Sequence, residues 1–284
     1  MFATVLDCAG RRLVLDRPRV AGIINVTPDS FSDGGEHATT EAAVAHGLAL
    51  AEQGADVLDV GGESTRPGAA EVPLQEELRR VIPVIEQLAA RTALPIAVDT
   101  SKPELMRAAV AAGAGMVNDV YALRREGALD AVAALGVPVC LMHMQGEPRS
   151  MQDDPRYDDV VGEVHRFLAD RLFACELAGI DRRKVLVDPG FGFGKNLEHN
   201  LALLRALERF ADLGSGVYAG LSRKSMIGEL TGRKAPAERA AGSVAAALIA
   251  VQRGARMVRV HDVAATRDAL RIATAWEGES RWAA

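Results

Sequence analysis

Eight short apolar runs recur along this chain about every 34 residues, each followed by a stretch of helical periodicity. They are VAGIINV (20–26), ADVLDVG (55–61), PIAVDT (95–100), GMVNDV (115–120), PVCLMHM (138–144), KVLVDPG (184–190), VYAGLS (217–222) and ARMVRVHD (255–262). Strands that alternate with helices make a parallel sheet, because each crossover returns the chain in the same direction. Eight such units could form an open, doubly wound sheet. Their even spacing, with a polar residue at every strand end, instead predicts a closed (β/α)8 TIM barrel, in which all strand exits share one face. No linker-like, low-complexity or highly charged stretch divides the chain, so 1–284 reads as one domain.

Smaller signals fill in the frame. Residues 3–15 read as a β-hairpin (TVLD, CAGR, RLVLD), an extension over 1–16 placed to plug the barrel bottom. The segment 40–53 puts Val44, Leu48 and Ala51 on one helical face and stops at Gly54. Ser101 with Glu104 has capping-box spacing, with Pro103 in the first turn. Pro83 falls inside a helix expected over 74–90, where it would kink it. The run AGSVAAALIAV (241–251) is too short to span a bilayer and reads as a buried helix, whose small residues suit packing against a second subunit.

Composition excludes several functions. A net charge of -5 and 4% aromatic residues leave neither a basic surface nor a stacking platform for nucleic acid. Any anionic ligand must be met by a local basic cluster. Cys8, Cys140 and Cys175 match no zinc pattern, and an odd count argues against a disulfide framework, so a reducing cytoplasm is expected. Asp7 interrupts the apolar centre that a secretory leader needs.

The expected rim carries Asn25, Glu63, Thr65, Arg66, Asp99, Asn118, Asp119, His143, Asp188, Arg223, Lys224, Arg259 and His261. Any one of the acids or amides is equally well explained as the cap of the next helix. Together they point at one volume. Asp99, Asn118 and Asp188 match the donor–acceptor edge of a nitrogen heterocycle: a carboxylate accepts two N–H bonds from an amidine-like face, and an amide both donates and accepts. Asn25, Arg66, Arg259 and His261 suit a diphosphate, with Asn25 offering an oxygen to Mg²⁺. In RVHD the alternation puts Arg259 and His261 on one face. SRKS (222–225) places basic groups and a serine at a helix start, as an N-cap or as a pocket for a carboxylate or phosphate. GFGFGKN (190–196) lacks the spacing of a dinucleotide loop and the hydroxyl of a P-loop, and reads as a tight, mobile turn around a flat ligand, with a phosphate-cradling loop as the alternative. The loops NVTPDSFSDGG (25–35) and GGESTRPGAAEV (61–72) read as segments that close over substrate.

In these motifs the chain resembles the dihydropteroate synthases, the folate-pathway enzymes that sulfonamide drugs target. The resemblance rests on NVTPDSFSDGG, VGGESTRPGA, VDTSKPE, VNDV, CLMHMQG, LVDPGFGFGKN, GLSRKS and RVHDV, in order from 25 to 263. It implies condensation of 6-hydroxymethyl-7,8-dihydropterin diphosphate with p-aminobenzoate to 7,8-dihydropteroate and diphosphate, with Mg²⁺. It implies a pterin site of Asp99, Asn118, Met142, Asp188, Phe193, Gly220 and Lys224, and a p-aminobenzoate site of Phe31, Thr65, Arg66, Pro67, Lys224 and Ser225. Asp99, Asp188, Lys224, Arg66 and Asp33 become the expected catalytic groups, Asp33 as an orienter of the amine or of a metal-bound water. A homodimer with small-molecule substrates, and neither nucleic acid nor membrane as partner, completes the expectation. Two rivals share the heterocycle pocket: a methyltetrahydrofolate-dependent methyltransferase, which has no need of Phe31, Thr65–Arg66 or SRKS, and a non-catalytic pterin-binding paralogue, which has no need of the diphosphate groups.

Overall fold

The computed structural model of the chain describes residues 4–27, 35–64, 71–147 and 150–277. An antiparallel hairpin of β1 (Val5–Cys8) and β2 (Arg11–Val14) precedes eight parallel strands: β3 (Arg19–Asn25), β4 (Val57–Gly61), β5 (Ile96–Asp99), β6 (Met116–Asp119), β7 (Val139–Met142), β8 (Val185–Asp188), β9 (Val217–Ala219) and β10 (Ala255–Val260). They close in the order β10-β3-β4-β5-β6-β7-β8-β9, so each expected strand is present and the sheet has no free edge. The helices between them are α1 (Gly35–Glu52), α2 (Leu74–Arg91), α3 (Pro103–Ala111), α4 (Ala128–Leu135), α5 (Val160–Leu177), α6 (Leu197–Arg205), α7 (Ser225–Thr231) and α8 (Ala240–Gln252), with α9 (Val263–Glu277) after the last strand.

Strand alternation sorts the side chains into two sets. Outward residues such as Val20, Leu58, Val98, Val117, Leu141, Val187 and Val258 pack against the helices. Inward, each barrel strand contributes one residue (Ala21, Val57, Ala97, Met116, Cys140, Leu186, Tyr218, Met257) to a cluster with Leu6, Cys8, Leu13 and Leu15 of the hairpin. The hairpin therefore plugs the barrel bottom, as its pattern predicts. The fit is close: a Cβ on Gly115 would lie 2.2 Å from the Cys8 carbonyl oxygen. Beside the plug, Asp56 at the start of the second barrel strand gathers Arg17, Arg19 and Arg267, and the Val20 amide donates to its Oδ2. This network ties β3, β4 and α9 together at the face opposite the strand exits.

One local expectation is corrected. The Ser101–Glu104 capping box does not form; the N-cap of α3 is Lys102, with no side-chain cap. Proline pushes the residue before it into extended backbone and fits the first helical position, so Pro103 sets the boundary one residue beyond Ser101 and leaves Glu104 a residue short of the box. Helix α2 spans 74 to 91 with Pro83 inside it, as the sequence places it. The small-residue helix α8 buries Ser243, Ala246, Ala247, Ala250 and Val251.

Candidate active site

Two residues beyond the plugged layer, the same inward register gives Ile23, Asp59, Asp99, Asn118, Met142, Asp188, Gly220 and Arg259. A layer that would ordinarily be apolar in a barrel interior thus holds three carboxylates, an amide and a guanidinium. Asp59, Asn118 and Asp188 are buried, and Asp99 and Arg259 are partly so.

Arg259 joins the two expected sub-sites. Its Nη2 donates to Asp99 at 2.7 Å, while its Nε donates to Asp59. The basic group expected to read diphosphate is therefore already bonded to an acid expected to read the heterocycle. Burial pushes the Asp99 carboxyl up to about 7; Arg259 opposes that shift, and Asp59 reinforces it. Asp188 is also raised, first by burial, and its Oδ1 accepts from the Gly190 amide at 2.7 Å.

Lys224 approaches the layer from above β9. Arg223 before it has φ +58, a left-handed turn that is uncommon for a bulky side chain and persists only when its surroundings impose it. Asp262 accepts two bonds from Arg223, at 2.6 and 3.1 Å, and Ser243 accepts from its backbone amide at 2.8 Å. The turn sends the Lys224 ammonium to the Phe191 carbonyl and over the Phe193 ring, 4.5 Å from its centroid. Burial lowers Lys224 to about 8, with Asp188 acting against that shift. Ser225 is exposed at the first position of α7.

The 190–194 loop corrects the expectation of a mobile turn. Gly190, Gly192 and Gly194 all have left-handed φ, and each of the five carbonyls accepts from a side chain, two from the adjoining Lys195 and three from other segments. Lys195 donates to Gly190 and Phe193, both at 2.9 Å, and Lys224 to Phe191. Gln152 donates to Gly192 at 2.5 Å and Tyr157 to Gly194 at 2.9 Å. The backbone is stapled by these bonds, which gives the Phe193 side chain a fixed support. Asn196, where a P-loop needs a hydroxyl, caps α6 in a capping box with His199.

The rest of the expected rim divides clearly. Asn25 and His261 lie one inward step further out, four residues beyond Ala21 and Met257, and the His261 Nδ1 is 2.9 Å from the Ser222 hydroxyl. Glu63 instead pairs with Lys102, which also binds buried Glu77, both at 2.5 Å. Asp119 accepts from the backbone amides of Tyr121 and Leu123 as a turn cap. His143 contacts Lys195, behind the loop. Phe31, Asp33, Thr65, Arg66 and Pro67 lie outside the described residues.

Sequence reasoning passed over two groups. Lys195, the loop's main donor, binds backbone carbonyls, and no spacing rule announces that. Asp59 had a signal: within VLDVG the alternation sets it on the same inward face as Val57 and Gly61, a carboxylate in an otherwise apolar strand.

Known proteins match this arrangement. The family model for "Pterin binding enzyme" covers residues 21–261. The dihydropteroate synthase of Escherichia coli K12 is 53% identical over 270 residues, 95% of each chain. A Xanthomonas albilineans dihydropteroate synthase solved with 4-aminobenzoic acid superposes with a TM-score of 0.93 at 68% identity, covering 97% of this chain and 99% of the other. A second structure of that enzyme, with 7,8-dihydropteroate, gives a TM-score of 0.89 at 66% identity over 96% and 99% of the two chains. The barrel, its acid-rich inner layer and these likenesses agree, and the chain belongs to the dihydropteroate synthases of the pterin-binding enzyme family.

Proposed function

We propose that the chain condenses 6-hydroxymethyl-7,8-dihydropterin diphosphate with p-aminobenzoate, releasing diphosphate and forming 7,8-dihydropteroate. One observation carries the residue assignment: Asp99, Asn118, Asp188 and Arg259 occupy a single inward layer directly above the hairpin plug. Asp188 and Asn118 read the donor and acceptor edge of the pterin; Met142, Phe193 and Gly220 form the flat slot. A Cβ at Gly220 would stand 3.7 Å from Asp188, in ordinary contact, which places Gly220 at the side of that carboxylate.

Chemistry follows from the charge balance. The C–O bond between the pterin methylene and diphosphate breaks, and the leaving group takes the electron pair. The methylene is left cationic beside two carboxylates, Asp99 and Asp188, against the positive charges of Arg259 and Lys224. Preorganised negative charge stabilises such a cation without reorganisation. Asn25, Arg259 and His261, with Arg66 from the 65–70 segment, hold the diphosphate. The amine of p-aminobenzoate then forms the C–N bond and loses its proton. Phe31, Thr65, Arg66, Pro67, Lys224 and Ser225 position that second substrate, and Asp33 orients its amine.

Mg²⁺ fits the donor set in one way. Among the described residues no group of three His, Cys, Asp or Glu side chains is placed to hold a metal, so the protein offers no cage. Mg²⁺ commonly keeps its waters and uses substrate phosphates, and Asn25 supplies one protein oxygen at the diphosphate end. When bound, the ion would neutralise charge on the leaving group.

The functional unit is a homodimer. Leu230, Ile249, Ile272 and Trp276, on α7, α8 and α9, are 56%, 44%, 72% and 80% exposed, an apolar set that a second copy would cover. No helix among the described residues is long and apolar enough to cross a membrane, and three buried free thiols suit the cytoplasm.

The deciding experiment incubates purified protein with both substrates and Mg²⁺. Dihydropteroate formed one-for-one with diphosphate is expected. Diphosphate release without the coupled product, or no turnover, refutes the reading.

A further inference from the structure

We propose that Asp59 is a positioning residue for the reaction, fixing Arg259 and Asn118 from beneath the slot and setting the electrostatic environment of Asp99. The inference rests on the function proposed above and goes beyond it, since Asp59 is itself no part of that pterin-contacting set.

The geometry is specific. Asp59 is fully buried. Its Oδ2 accepts from Arg259 Nε, from Asn118 Nδ2 at 3.2 Å and from the Tyr218 hydroxyl at 3.4 Å. Its Oδ1 is buried with no hydrogen-bond partner among the described residues. A buried carboxylate with one oxygen left without a partner destabilises the fold, so a packing role alone accounts poorly for its presence.

The bonds from Arg259 and Asn118 have consequences above it. Nε and Nη2 lie on one edge of a guanidinium. With Asp59 and Asp99 on that edge, Nη1 has no acceptor among the described residues and is left to meet an anion. A carboxylate only accepts, so the Asn118 amide must turn its nitrogen down to Asp59. Its carbonyl oxygen is then presented to the slot as an acceptor for a ring N–H.

Charge acts in the same direction. Asp99 faces Asp59 on β4, Asn118 on β6 and Arg259 on β10, with Asp119, Glu77, Cys140, Tyr218 and Lys224 within its electrostatic reach. Of these, Asp59, Glu77 and Asp119 favour a proton on Asp99, whereas Arg259 disfavours it. Asp59 shares Arg259 with Asp99, so it both draws the cation away and adds a like charge.

The test is Asp59→Asn, nearly isosteric and uncharged. It is read by calorimetric Kd for 6-hydroxymethylpterin, by steady-state kinetics and by the pH profile of kcat/KM for the pterin diphosphate. The expected result is a Kd at least tenfold weaker, KM for p-aminobenzoate unchanged, and the acid limb moved to lower pH by at least half a unit. An unmoved limb overturns the proposal even if activity falls, because a merely structural loss would give that. A Kd within twofold of wild type, in a variant with native circular dichroism, overturns it too. If Asp59→Asn fails to fold because Arg259 is left under-compensated, Asp59→Glu keeps the charge and displaces it by one methylene. The pterin Kd should then weaken at least tenfold with the acid limb in place, and wild-type affinity refutes the role. Wild-type protein that forms no dihydropteroate would sink the proposed function, whereas active wild type with an unaltered Asp59 variant sinks this inference alone.

Discussion

The Lys195 ammonium stands 2.9 Å from Nδ1 of His143, and both side chains are buried beneath the 190–194 loop. Lysine only donates, so Nδ1 accepts and the imidazole is neutral. Burial, and then the charge of Lys195, push His143 down to about 2, while burial takes Lys195 well below its ordinary range. The pair gives acid a route to loosen the floor of the slot.

The sign of that acid sensitivity is fixed. Between the unfolded histidine value near 6.5 and the folded value near 2, the unfolded chain binds a proton at this residue that the folded chain does not, so stability falls as pH drops through that window. His143→Asn keeps an acceptor for Lys195 and cannot titrate. Urea denaturation at pH 7.5 and pH 5 should show wild type losing about 2 kcal/mol more than the variant between those values. Equal losses would show that His143 titrates freely.

Turnover should have a narrow pH optimum. Asp99 at about 7 must be ionised to accept from the ligand and stabilise positive charge, so kcat/KM for the pterin diphosphate falls as pH drops through 7. Lys224 at about 8 must be protonated, so the rate falls again above that value. A bell with limbs near these two values is expected, and the alkaline limb should vanish in Lys224→Arg. A flat profile from pH 6 to 9 would contradict both assignments.

The hairpin plug can be tested without touching the site. Gly115→Ala drives a methyl carbon into the Cys8 backbone, 2.2 Å from its carbonyl oxygen. Overpacking of this kind costs about 1–3 kcal/mol, so thermal melting should fall by several degrees. An unchanged melting temperature would mean that the hairpin is not seated against β6.

Pairing of two copies has its own readout. Ile249→Glu and Ile272→Glu place charges on the exposed faces of α8 and α9. Sedimentation velocity should give a dimer for wild type and a monomer for the double variant. A monomeric wild type refutes the dimer.

Much of this was legible in the sequence because barrel physics is periodic. The alternation within RVHD aligns Arg259 and His261, and the same two-residue rule, applied to all eight strands, reaches Asp99, Asn118 and Asp188. What escaped depends on distance in three dimensions. Lys195 matters through carbonyls of a folded loop, and those three left-handed glycines look mobile until their donors are known. Glu63, Asp119 and His143 sit at strand exits as residue type and register require, yet Lys102, two backbone amides and Lys195 claim them. The capping box failed because Pro103 outranks Ser101 in setting a helix start. Asp59 was visible in register but reads, in one dimension, as an interruption of an apolar strand.

The most direct test of the slot is calorimetry of 6-hydroxymethylpterin binding to wild type and Asp188→Asn. Asp188 already accepts from the Gly190 amide through Oδ1, which leaves Oδ2 to take the ring's N–H groups; an amide there cannot serve both. Affinity should fall at least a hundredfold, about 2.7 kcal/mol, with the fold intact by circular dichroism. Undiminished binding by the variant would contradict the placement of the heterocycle, and with it the account of this barrel.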